Sequence, residues 1–429
     1  MINFKLSKYA TVFFKNIFIY FFSDVFNKAL PFLLLPILTR YLSSEDYGII
    51  ANYSILLSLS IVFISMNTQG SVEVVFFHIT KNKLKKYIGN IFLIISILSL
   101  VFLIFYLIFG SMFSKLTMIS IEWLIASVFI CLAQIINLIN LILWRVEKNA
   151  KNYSLFEILQ NIFNFSLTLL FIIALKMNWE GRLLAIAISN IFFGLISFYL
   201  IFKVREYLTF NYNKDTINDA LSYGIPLVPH SLATWIKTGL DRLFITYLVG
   251  VGATGIYSVG YQLGMVIMII ATALYKAWLP ELYGMLKDMT NDKKKQVIFI
   301  TYAYFIGIII LTIFLYFILN LFIDLFIGKD FSESKIVILF ILIAYAFDSM
   351  YFAVVPYLFY FKKTKVISSI TITTSFIHAP VSYLLIMKYG IQGATYASAI
   401  TFGLTFFMIF YSSNKIYPMP WFSFWKNNA

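Results

Sequence analysis

Runs of about 20 apolar residues, parted by short polar connections, recur along almost the whole chain, and a run of that length is what an α-helix needs to cross a bilayer. Twelve such runs read as helices over 16–38, 48–67, 88–109, 121–143, 154–175, 183–202, 223–249, 255–275, 296–319, 335–358, 365–387 and 393–412. Apolar residues make up 61% of the 429, charged residues only 12%, and the mean hydropathy is +0.87. That balance excludes a soluble domain and predicts an all-α integral membrane protein with twelve transmembrane helices. The opening MINFKLSKYATVFFKNIFIYFF places basic residues ahead of an apolar run, as a signal peptide does. Its apolar run is too long for one, and no small-x-small cleavage site follows, so the segment reads as retained.

The formal net charge of +14 reads as the excess of Lys and Arg on cytoplasmic loops rather than as a nucleic-acid surface. Alternating the loops gathers Lys5, Lys8, Lys15, Lys81, Lys83, Lys85, Lys86, Arg145, Lys148, Lys151, Lys203, Arg205 and Lys214 on one side. Lys276, Lys287, Lys293, Lys294, Lys295, Lys362, Lys363, Lys365, Lys415 and Lys426 join them. The opposite side holds only Arg40, Lys115, Lys176, Arg182, Lys329, Lys335 and Lys388. This predicts a multi-pass protein of the inner (plasma) membrane with both termini in the cytoplasm. The cytoplasmic connection 68–87 reads either as a basic amphipathic surface helix or as a plain helix extension.

Three weak matches in the same order divide the chain in two. TRYLSSEDYGI (39–49) resembles TYLVGVGATGI (246–256), with Gly48 and Gly255 207 residues apart. EKNAK (147–151) faces FKKTK (361–365) at an offset of 214, and WEGRLLAIAIS (179–189) faces IQGATYASAIT (391–401) at 212. A duplicated unit of six helices follows, with the halves expected at 1–210 and 211–429 and related by a pseudo-two-fold axis along the membrane normal. Two parallel halves around a central cavity imply alternating access without covalent chemistry.

Three stretches carry a family resemblance. LPILTRYLSSEDYGI (35–49) and YGIPLVPHSLATWIKTGLDRLFITYLVGVGATGIYSVGYQL (223–263) resemble the polysaccharide and O-antigen flippases, as does LFIDLFIGKDFSESKIVILFILIAYAF (321–347). Multidrug-and-toxin exporters and the peptidoglycan lipid flippase belong to the same superfamily. The resemblance implies two six-helix bundles forming a V-shaped cavity. It implies an undecaprenyl-pyrophosphate-linked oligosaccharide, an O-antigen or other surface-polysaccharide repeat unit, as cargo, carried from the cytoplasmic to the outer leaflet. The partners it implies are that lipid-linked glycan, membrane lipids and other polysaccharide-assembly membrane proteins; it implies no nucleic acid.

Charged residues inside the apolar runs are the site candidates, because a charge within a membrane helix is costly and is kept for a reason. Asp24 and Lys28 share one face of the first helix at i,i+4, and Lys237, Asp241 and Arg242 cluster on the seventh. They read as a cationic cavity for the pyrophosphate and for acidic sugars. The alternative is two self-neutralising ion pairs, Asp24–Lys28 and Lys237–Asp241. Lys237 lies 209 residues after Lys28, near the repeat offset. His230, His378 and Asp348 are isolated polar residues that read as packing or as proton relays. Gln134, Asn137 and Asn140, with Gln160, Asn161 and Asn164, recur three or four apart and serve either as interhelical glue or as partners for sugar hydroxyls.

No Gly-rich phosphate loop, HExxH, Cys/His metal spacing or Ser-His-Asp set is recognisable, so no metal, cofactor, ATP hydrolysis or enzymatic activity is expected. The lone Cys131 rules out an intrachain disulfide. Two other functions stay open. An exporter of small drugs would favour acidic cavity residues. An O-antigen polymerase or ligase would need a long extracytoplasmic loop, which the spacing does not provide.

Overall fold

The computed structural model describes residues 2–421, with side chains from Phe22 onward and at Ile19. Lys5, Lys8, Lys15 and Lys426, expected in the cytoplasm, lie outside the described side chains. Every long element is a helix, as a bilayer-spanning chain requires, since in lipid each backbone polar group must be satisfied within the segment. Two compact units divide between Leu232 and Ala233.

The first unit holds α1 (Ile2–Tyr41), α2 (Ser44–Ser65), α3 (Ser71–Val75), α4 (Lys81–Thr117), α5 (Ile121–Val146), α6 (Ala150–Leu169), α7 (Trp179–Tyr199) and α8 (Lys214–Gly224). A 3₁₀ turn at Ile225–Leu227 leads into α9 (Val228–Leu248), within which the unit boundary falls. The second unit continues with α10 (Val251–Gly264), α11 (Val266–Lys287), α12 (Asn291–Phe326), α13 (Lys335–Tyr360), α14 (Thr364–Tyr389) and α15 (Ile391–Ile416). Among the described residues, 11 helical spans are long and apolar enough to cross a membrane. The 21-residue α9, less apolar because it carries Lys237, Asp241 and Arg242, makes the twelfth.

The repeat read from the sequence coincides with these boundaries. α10 opens at Val251, 207 residues after α2 at Ser44, and α15 opens at Ile391, 212 after α7 at Trp179. α14 opens at Thr364, 214 after α6 at Ala150. The packing repeats too. In the first unit α5 lies against α2, α4 and α7; in the second its counterpart α13 lies against α10, α12 and α15. Close approach depends on small residues, as in membrane bundles generally. A Cβ on Gly194 of α7 would come within 2.7 Å of the Ala133 Cβ on α5. Gly260 and Gly264, spaced G-x-x-x-G on α10, likewise face Val337 and Ile341 of α13.

Local signals explain the ends. The SSED turn is a capping box: Asp46 N–H donates to Ser43 Oγ (3.1 Å), and Ser43 N–H donates to Asp46 Oδ2 (3.0 Å). α1 runs on through Pro31 and Pro36 as a single helix. Residues 68–80 form only a 3₁₀ turn and the five-residue α3, with the lysines from Lys81 onward opening α4. The helix-extension reading of 68–87 therefore holds for the lysines, and the surface-helix reading does not.

Candidate functional site

Each unit has a polar interior. In the first, Lys28 Nζ donates to Asp24 Oδ2 at 3.3 Å across one turn of α1, with the two side chains 39% and 40% exposed. An acid that sequence reasoning passed over sits close by. Glu157 of α6 accepts from Asn27 Nδ2 (3.1 Å), Ser23 Oγ (3.4 Å) and Tyr153 OH (3.1 Å). Asn161, one turn further along α6, donates to Asn27 Oδ1 at 2.9 Å. The polar residues of α1 and α6 thus form one network, in which the carboxylate is satisfied by neutral donors.

Asn164 and Thr168 continue that stripe and meet Arg182. Its Nη1 donates to Asn164 Oδ1 (2.7 Å) and Thr168 Oγ1 (2.6 Å). The sequence reading put Arg182 among the loop charges of the extracytoplasmic side. In the structure α7 begins at Trp179, so Arg182 lies in the first turn of the helix rather than in the connection before it, and it turns inward onto α6. A recess of about 390 Å³ opens beside it, lined from α2, α5, α6 and α7. Its walls are mainly polar, and Gln134, Gln160, Asn161 and Asn164 take part in them.

In the second unit, polar bonds fasten α9 along its length. Ser375 Oγ donates to Ala233 O (2.7 Å), Lys237 Nζ donates to Thr405 Oγ1, and the Thr246 and Thr254 hydroxyls meet at 2.7 Å. Asp241, 1% exposed, is the hub. Its Oδ1 accepts from Ser382 Oγ and from His378 Nε2 (3.0 Å). Its Oδ2 accepts from Tyr257 OH and Ser398 Oγ, both at 3.1 Å. A carboxylate only accepts here, so the His378 proton facing it is on Nε2, while Nδ1 lies 2.9 Å from Thr401 Oγ1. Among the described residues no ion pair joins Lys237 to Asp241. Lys237 instead lies over the Phe402 ring at 5.4 Å, within electrostatic reach of Asp348. Arg242 is half-buried: its Nε donates to Ser258 Oγ (3.1 Å), its Nη1 donates to Thr238 O (2.6 Å), and its guanidinium stacks 4.5 Å from the Tyr261 ring centre. His230 is exposed.

The five sequence candidates therefore fall into two groups. Asp24 and Lys28 form a half-exposed pair in the first unit. Lys237, Asp241 and Arg242 are engaged within the second, two of them deeply buried. Arg182 and Glu157 are additions. The only signal for them was the polar period on α6, whose partners a single sequence does not name.

The chain is thus a polytopic helical membrane protein whose two units each carry a polar, charge-bearing interior. The chain belongs to the polysaccharide biosynthesis protein family, which it matches over residues 13–285. It is 27% identical to a protein of the Lsg locus of Haemophilus influenzae, covering 85% of this chain and 89% of that one. It is 26% identical to the capsular polysaccharide biosynthesis protein CapF of Staphylococcus aureus, covering 94% and 100%. The fold is shared with the lipid II flippase MurJ (TM-score 0.72, 15% identity, 92% and 87% covered). It is also shared with an inward-facing multidrug resistance MATE family transporter of the MOP superfamily (TM-score 0.72, 14% identity, 95% and 96% covered).

Proposed function

We propose that this protein is a flippase that moves an undecaprenyl-pyrophosphate-linked oligosaccharide, an O-antigen or related repeat unit, from the cytoplasmic to the outer leaflet by alternating access. Membership of a polysaccharide biosynthesis family on a fold shared with a lipid flippase carries this reading. The interior supports it. Asp241 and Lys237 are consumed by neighbours within their unit, whereas Arg242 has hydroxyl, carbonyl and aromatic partners and, among the described residues, no carboxylate. Arg242 is the candidate contact for the pyrophosphate, because a guanidinium offers paired charged donors to phosphate oxygens. We further propose that the protein sits in the inner membrane with both ends in the cytoplasm, and that each half of the chain contributes six spans.

Deleting the gene should abolish surface glycan while lipid-linked repeat units accumulate on the cytoplasmic side. If single repeat units still reach the surface but stay unpolymerised, a polymerase function replaces this one. If glycan is unaffected and sensitivity to small cationic drugs rises, the exporter reading replaces it.

A further inference from the structure

Arg182 is a cation inside a membrane bundle, and such a group is normally paired. Its Nη1 donates to two neutral acceptors, Asn164 Oδ1 and Thr168 Oγ1. Among the described residues no carboxylate pairs with it. The acid on the same stripe, Glu157, is turned toward Ser23, Asn27 and Tyr153 and does not line the recess. Opposite, on α5, Gln134 Oε1 is buried in the recess wall with no hydrogen-bond partner. An arginine without a carboxylate and a glutamine with an unsatisfied buried oxygen line one cavity, and they mark two polar groups that water or a ligand must satisfy.

The remaining walls narrow the ligand. Ser54, Ser58, Gln160, Asn161, Ser189 and Asn190 supply hydroxyls and amides without further charge, while Leu57, Ile61 and Ile186 supply an apolar floor. Neutral donors and acceptors around an apolar patch suit the hydroxyls and the CH face of a sugar ring. The volume of about 390 Å³ lies at the small end of small-molecule sites, roughly 300–1,000 Å³. One cation in neutral walls matches one carboxylate; a pyrophosphate, with more charge, would call for several cations.

We infer that this recess binds an acidic monosaccharide unit of the cargo, with its carboxylate on Arg182 and a ring hydroxyl donating to Gln134 Oε1. The inference rests on the flippase reading for its cargo, but the site is testable without translocation. Purified protein in lipid nanodiscs is probed by saturation-transfer NMR with glucuronate, glucose and inorganic pyrophosphate. The expected result is that glucuronate binds at least about tenfold more tightly than glucose, roughly 1.4 kcal/mol, and is not displaced by pyrophosphate. Arg182→Gln should bring glucuronate down to the level of glucose, Arg182→Lys should recover part of the difference, and Gln134→Leu should weaken both sugars. Equal binding of the two sugars, or an unchanged preference in Arg182→Gln, overturns the inference. Displacement of glucuronate by pyrophosphate in the wild type assigns the site to phosphate and overturns it too. Should Arg182→Gln fail to fold, the wild-type competition and the Gln134→Leu variant still decide. A wild type that binds glucuronate but does not flip lipid-linked glycan refutes the proposed function and leaves the site standing.

Discussion

Replacing Asp241 with Ala removes an acceptor that ties α9 to α10 through Tyr257, to α14 through His378 and Ser382, and to α15 through Ser398. Interhelical hydrogen bonds in membrane proteins average about 0.6 kcal/mol each, so the four contacts together give roughly 2.4 kcal/mol. Bonds to a charged group are stronger, at about 1.5–3 kcal/mol each, which makes that figure a lower bound. The expected loss is therefore at least about 2–3 kcal/mol. Asp241→Asn should cost less, because one oxygen still accepts and the Tyr257 and Ser398 hydroxyls can turn to accept from the new amide. The assay is unfolding in lipid–detergent micelles titrated with SDS. An Asp241→Ala variant within about 0.5 kcal/mol of wild type, below the average for a single bond, would refute the idea that this carboxylate fastens α9. An Asp241→Asn variant of wild-type stability that exports no glycan would assign the carboxylate to transport instead.

Gly194→Val should destabilise the first unit by about 1–3 kcal/mol, the usual cost of overpacking, because even a Cβ there meets Ala133 at 2.7 Å; the same SDS titration reads it. Arg242→Ala should cut surface glycan more than tenfold, from the loss of about 1.5–3 kcal/mol of charged hydrogen bonding. Arg242→Lys should keep part of the activity, with protein level measured alongside. Reporter fusions after Lys86, Lys151, Arg205, Lys295 and Lys365 should all report cytoplasm, and an outside signal at any of them breaks the proposed topology.

The sequence by itself determined the helices and the duplication. Bilayer thickness fixes the length of an apolar run, and a helix satisfies its own backbone, so both are local properties. The offsets 207, 212 and 214 reappear as helix starts for the same reason: the repeat lies in the turns that bound the helices. Tertiary structure decided which polar groups meet. The i,i+4 spacing places Lys237 and Asp241 on one face, yet Asp241 bonds to His378, 137 residues away, because α14 lies opposite and its donors fit the carboxylate. Arg182 read as a loop charge, since hydropathy averages over a window and does not see that α7 starts three residues earlier. Its inward turn follows from Asn164 and Thr168 on the facing helix, which no spacing along the chain brings beside it.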